Sequence, residues 1–168
     1  MLRELHQELG IPEDYGLDRT KPVFQEATEL LEVGPNLVGR MQRLTPATAG
    51  AWTAMQGAAA DDGVTLLIVS GFRSIDYQAR LIRKKINAGQ SVSEILSVNA
   101  APGHSEHHTG RAVDIASPGS RPLTEEFEDS DAFRWLQANA ATYGFSMSYP
   151  RDNPAGFVYE PWHWARNA

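Results

Sequence analysis

The segment Val64-Thr65-Leu66-Leu67-Ile68-Val69 is a nearly unbroken apolar run, bounded by Asp62-Gly63 in front and Ser70-Gly71 behind. Its β-branched members favour an extended backbone, and it offers no polar face to water. It is therefore expected to be a buried central strand. A strand of this kind forces the rest of the chain to supply a sheet around it and helices over it.

The flanking sequence supplies both. Thr45-Pro46 joins an N-cap to a proline at the first helical position, which predicts a helix over Ala47–Ala60 that stops at Asp62-Gly63. Trp52 and Met55 fall on one face of it. Ser74 or Asp76 caps a helix from Ile75 to Ala88, stopped at Gly89, and Ser93–Val98 reads as a short helix. Asn99–Thr109 reads as a loop and Arg111–Ile115 as a strand. Ser130 or Asp131 caps a further helix that runs to Tyr143 and ends at Gly144. Short strands are expected at Leu30–Val33, Leu37–Met41, Phe145–Tyr149 and Gly156–Glu160. Helices come mainly first and strands mainly later, without a βαβ rhythm. The expected fold is α+β, a single domain with a small, mostly antiparallel sheet flanked by helices. Residues 1–39 read as an N-terminal arm with short elements packed on a core spanning 40–168.

Composition narrows the function. A chain of 168 residues buries roughly 70% of the surface of its unfolded form, so it needs no metal or disulfide merely to fold. It has no cysteine, so any zinc site must use His, Asp or Glu. The formal net charge is −6 and no basic stripe is present, which argues against a nucleic-acid partner. No apolar run reaches transmembrane length. Residues 1–9 mix charge with leucine and lack the apolar core of a signal peptide, so the sequence as written reads as cytoplasmic. A chain trimmed of a leader, and so periplasmic or extracellular, would read the same way.

Three of the five histidines, His104, His107 and His108, lie within five residues, in a Gly/Pro loop just before the Arg111–Ile115 strand. A second segment reads Tyr159-Glu160-Pro161-Trp162-His163-Trp164. His107 and Asp114 would stand about 23 Å apart in one straight strand and about 10 Å apart along one helix. Neither arrangement lets both reach one metal ion. A turn at Thr109-Gly110 would let the loop supply His107 and the returning strand supply Asp114. His163 would then be the third protein ligand, leaving a position open for chemistry, as in catalytic zinc sites. Glu160, held extended by Pro161, would face the same way as His163 and could serve as general base.

Ser105-Glu106-His107 through Gly110, Ala112 and Asp114 resembles the S-x-H-x-x-G-x-A-x-D signature of the VanY-type D-alanyl-D-alanine carboxypeptidases. Glu160-Pro161-Trp162-His163 is similar to that family's E-x-W-H ending, and Ser70-Gly71-Phe72-Arg73-Ser74 to its S-G-[YF]-R-S turn. The resemblance covers residues 40–166. It implies one zinc ion per chain, held at the sheet by His107, Asp114 and His163, with Glu160 as catalytic base. It also implies that Arg73 assists at the substrate or transition state, with Gln78 and Ser105 as polar contacts to substrate. A guanidinium fork suits either a terminal carboxylate or a developing oxyanion. His108 stands where the family more often has glutamine, and could compete for the metal or support it from behind.

The implied activity is hydrolysis of the C-terminal D-amino acid from a peptidoglycan stem peptide ending in D-Ala-D-Ala. The alternatives are an L,D-carboxypeptidase acting on tetrapeptide stems, a peptidoglycan endopeptidase, and a wall-peptide binding module without activity. An intact Glu160 argues against the last, because a binder needs no base.

Overall fold

The computed structural model describes residues 1–168. In chain order the elements are α1 (Leu2–Glu8), β1 (Leu31–Pro35), β2 (Met41–Leu44), α2 (Pro46–Asp61), β3 (Leu67–Ser70), α3 (Ile75–Asn87), α4 (Val92–Val98), β4 (Ala112–Ala116), α5 (Asp131–Asn139), β5 (Phe145–Met147) and β6 (His163–Arg166). Short 3-10 turns lie at Glu106–Thr109, Glu125–Asp129 and Ala140–Tyr143. The fold is α+β, and every strand pairing is antiparallel.

Local signals account for the helices. Thr45 is extended and Pro46 opens α2, which buries Trp52, Met55 and Ala59 along one stripe. The Ser74 hydroxyl accepts from Tyr77 N–H to cap α3. Ser91 and Glu94 form a reciprocal capping box on α4. Ser130 caps α5, and Gly144, at φ 80°, ends the turn that continues it.

The strands depart from expectation in three places. The strand expected at Val64–Val69 forms only over Leu67–Ser70, and it is an edge strand in the order β3-β4-β6-β5. The apolar run is nonetheless sheltered, because the β1–β2 hairpin covers that edge. Asn36 Nδ2 donates to the Val69 carbonyl, and Gln42 Oε1 accepts from Gly71 N–H. The central position falls to β4, all five of whose residues are buried. The strand expected at Leu37–Met41 begins only at Met41, because Asn36 Oδ1 accepts from Val38 and Arg40 N–H and holds those residues in a turn. Gly156–Glu160 is not a strand. The Asn153 side chain ties Pro150 and Phe157 into a loop, and pairing starts beyond Pro161, at His163.

Two apolar clusters result. The larger fills the space between the sheet, α2 and α5 around Trp52, Ile115, Phe127 and Leu136. The smaller joins Leu9 and Ile11 of the N-terminal arm to Ala79, Ile82, Ile95 and Ala101. It seats the arm against α3 and α4, beside the loop that leads into β4.

Candidate active site

β4 and β6 are neighbours, and their register sets Asp114 opposite His163. Directly opposed residues of an antiparallel pair project from the same face, so the two side chains emerge side by side. The 3-10 turn Glu106–Thr109 brings His107 to that face, capped by Ser105 Oγ, which accepts from His107 N–H. Gly110 then reverses the chain into β4 at φ 65°. A Cβ there would lie 3.0 Å from Thr45 Cγ2 and 3.2 Å from Ala27 Cβ, so the turn needs glycine for both conformation and space. The turn expected at Thr109-Gly110 is present, and His107, Asp114 and His163 converge with ligand-capable atoms within 4.8 Å of one another.

The outer nitrogens of both imidazoles are tethered. His107 Nδ1 lies 2.7 Å from the Gly71 carbonyl. A carbonyl only accepts, so Nδ1 carries the proton and Nε2 keeps its lone pair. That Nε2 is buried, has no hydrogen-bond partner, and faces Asp114 Oδ2 at 3.2 Å. On the other ring, Glu106 Oε2 accepts from His163 Nε2 at 2.9 Å and from Ser148 Oγ at 2.6 Å. His163 Nδ1 is thereby turned to Asp114 Oδ1, at 3.1 Å. The His107 Nε2 lone pair, pointed at the Asp114 carboxylate, is repulsive unless a cation lies between them. The N,N,O donor set is the one zinc takes when cysteine is absent. The residues fit such an ion.

Electrostatics follow the same lines. Burial, with Arg73 nearby, lowers His107 to about 4, which keeps it neutral and able to donate its lone pair. Burial would raise Asp114, but His107 and His163 hold its carboxyl well below the usual range. Burial would likewise lower His163, but hydrogen bonds to Asp114 and Glu106 raise it to about 10. Without a cation, the His163 ring is thus a proton held between two carboxylates. Glu160 is raised to about 7, chiefly by burial and further by Asp114. Its Oε2 stands 3.8 Å from His163 Nδ1, beside the convergence point.

A cavity of about 310 Å³ opens over these groups. All seven residues singled out from the sequence line it: Arg73, Gln78, Ser105, His107, Asp114, Glu160 and His163. Arg73 Nη2 lies 3.8 Å from Asp114 Oδ2, and its Nε is buried without a partner. Gln78 Nε2 donates to the Ala100 carbonyl, which leaves Oε1 buried and unpartnered. His108 does not compete for the site. Its Nδ1 donates to the Arg73 carbonyl at 2.6 Å and its Nε2 accepts from Gly103 N–H at 3.0 Å. Both nitrogens are spent on backbone, joining the Arg73 segment to the histidine loop.

Glu106 and Tyr149 carried no assigned role in the sequence. Glu106 sits at an unspecified position of the S-x-H motif, and its partners lie 57 and 42 residues downstream. Tyr149 lines the cavity with its ring 4.7 Å from that of His163, and burial together with Glu106 raises its phenol above the ordinary value.

A family model described as VanY, D-alanyl-D-alanine carboxypeptidase, matches residues 41–166. This chain belongs to the VanY family. The D-alanyl-D-alanine carboxypeptidase of Enterococcus faecalis (strain ATCC 700802 / V583) is 33% identical over 117 residues, covering 64% of this chain and 42% of that protein. The structure of the LdcB LD-carboxypeptidase, solved to address peptidoglycan recognition, is 30% identical with a TM-score of 0.75, over 86% of this chain and 71% of that one. A mutant of the vancomycin resistance D,D-pentapeptidase VanY from a VanB-type cassette, in complex with Zn(II), is 28% identical with a TM-score of 0.65, over 86% and 82%. The chain spans about a third to a half of the length of the curated relatives it matches.

Proposed function

We propose that this protein is a zinc-dependent carboxypeptidase that removes the terminal D-alanine from a peptidoglycan stem peptide ending in D-Ala-D-Ala. The observation that carries the reading is the buried convergence of the His107 and His163 inner nitrogens on Asp114, with Glu160 beside them. His107 Nε2, Asp114 and His163 Nδ1 would hold the ion. Zinc bound there would supply Lewis acidity toward the scissile carbonyl and the attacking water.

The rest of the chemistry belongs to the chain. Glu160 takes a proton from water as its oxygen adds to the carbonyl carbon. It returns that proton to the departing amine when the C–N bond breaks, leaving a shortened peptide carboxylate and free D-alanine. A carboxyl poised near neutrality suits both directions of transfer. Arg73, close to Asp114, faces the oxygen on which negative charge develops. Glu106 and Gly71 hold the two imidazoles in the tautomers that aim their lone pairs inward.

A second reading is removal of D-alanine from tetrapeptide stems, as an L,D-carboxypeptidase. It is favoured by the likeness to LdcB, with a TM-score of 0.75 against 0.65 for the zinc-bound VanY. Purified protein incubated with pentapeptide and tetrapeptide stems, with and without a chelator, separates these readings by product mass. Loss of one residue from the pentapeptide, abolished by the chelator and restored by zinc, is the expected result. Cleavage confined to the tetrapeptide selects the second reading, and cleavage at an internal bond overturns both.

A further inference from the structure

The cavity holds one charged group that the proposed mechanism does not use. Lys85 lines it together with Arg73, Gln78, Val98, Asn99 and Ala100. Lys85 lies seven residues after Gln78 on α3, two helical turns along the same face. Helical side chains lean toward the N-terminus of their helix, so the Lys85 stem reaches back toward Gln78 and Arg73. Burial and the neighbouring Arg73 both act against its charge, and no carboxylate offsets them. In a chain with formal net charge −6, a partly buried cation facing another cation is poorly explained as structure alone.

The neighbouring groups say what would relieve it. Arg73 is drawn to Asp114 at 3.8 Å, at the metal-binding end of the cavity. Gln78 is 1% exposed, and its Oε1 has no partner. The order along this wall is therefore a cation beside the reacting centre, an unpartnered acceptor, and a second cation. A C-terminal amino acid presents the matching sequence of groups: the scissile carbonyl, the amide N–H and the terminal carboxylate. Val98 adds an apolar side chain to the same lining.

The geometry points to Lys85 as the residue that binds the carboxylate of the departing amino acid, with Gln78 Oε1 accepting its N–H and Arg73 left to the reacting carbonyl. This assignment rests on the carboxypeptidase reading and adds to it the group that makes the enzyme an exopeptidase. A charge-assisted contact of this kind discriminates by about 10-fold to 100-fold between a carboxylate and a neutral amide.

The test is a two-by-two comparison with zinc-loaded enzyme. Wild type and Lys85→Met, which keeps an apolar stem of similar length, are assayed on one stem peptide as the free acid and as its C-terminal amide. Wild type is expected to prefer the acid by about 10-fold to 100-fold in kcat/KM. In Lys85→Met that ratio collapses toward unity, and Lys85→Arg restores much of it. A Lys85→Met enzyme that keeps the wild-type ratio, whatever its absolute rate, overturns the assignment while leaving the carboxypeptidase reading intact. If the wild type cuts acid and amide equally, the carboxypeptidase reading fails and the Lys85 assignment with it.

Discussion

Replacing Glu106 with alanine removes the acceptor for both His163 Nε2–H and the Ser148 hydroxyl. His163 is 3% exposed, so water has little access to the freed N–H. Leaving a buried donor unsatisfied costs about 1–3 kcal/mol. An outer-sphere partner of a metal-ligating histidine is typically worth about 10–100-fold in metal affinity, or about 1.4–2.8 kcal/mol. The two routes agree, and Glu106→Ala should weaken zinc binding by that factor. Glu106→Gln keeps an acceptor oxygen but loses the charge, so its loss should sit near the lower end, about 10-fold. Ser148→Ala leaves the contact with His163 in place and should do least. Competition with a chromophoric chelator at fixed pH measures all three. Zinc affinity in Glu106→Ala indistinguishable from wild type would refute the claim that Glu106 sets the tautomer and aim of His163.

Three further outcomes are expected. Glu160→Gln should bind zinc normally and lose turnover by about 10²–10⁴-fold, because only proton transfer is removed; loss of zinc in metal analysis would instead make Glu160 a ligand. In metal-free protein His163 holds its proton up to about pH 10, and a ligating nitrogen must give that proton up. Zinc binding at mildly alkaline pH should therefore release close to one proton per chain, and the affinity should fall as pH is lowered. Calorimetry in buffers of differing ionisation enthalpy reads this directly, and a buffer-independent heat contradicts it. His108→Ala removes two buried backbone contacts and should lower stability by about 2–4 kcal/mol in a denaturant titration, yet retain one zinc per chain; loss of the zinc would return His108 to the metal site.

The site was more legible than the sheet that carries it, for physical reasons. His107, Gly110 and Asp114 belong to one short stretch whose spacing lets two side chains share an ion only if Thr109-Gly110 turns, and the family signature marks the same residues. His163 comes from far along the chain, but the neighbouring Glu160 and Pro161 mark its segment. Edge and centre of a sheet are not marked in this way. The run ending at Val69 looks central because its cover, Asn36 and Gln42 on the β1–β2 hairpin, is remote in sequence. Gly156–Glu160 has strand-like composition, but the Asn153 side chain holds it as a loop. Glu106 and Lys85 are ordinary surface-type residues in the sequence. Their meaning depends on what the fold sets opposite them, β6 and Ser148 for one and Arg73 with α4's end for the other.

The most direct test of the account is an anomalous difference map at the zinc absorption edge, from crystals of zinc-loaded wild-type protein. One peak per chain is expected, bonded to His107 Nε2, an Asp114 oxygen and His163 Nδ1, with His163 Nε2 still hydrogen-bonded to Glu106. A peak on His163 Nε2 and Glu106, or at His108, or no peak within reach of Asp114, would contradict it.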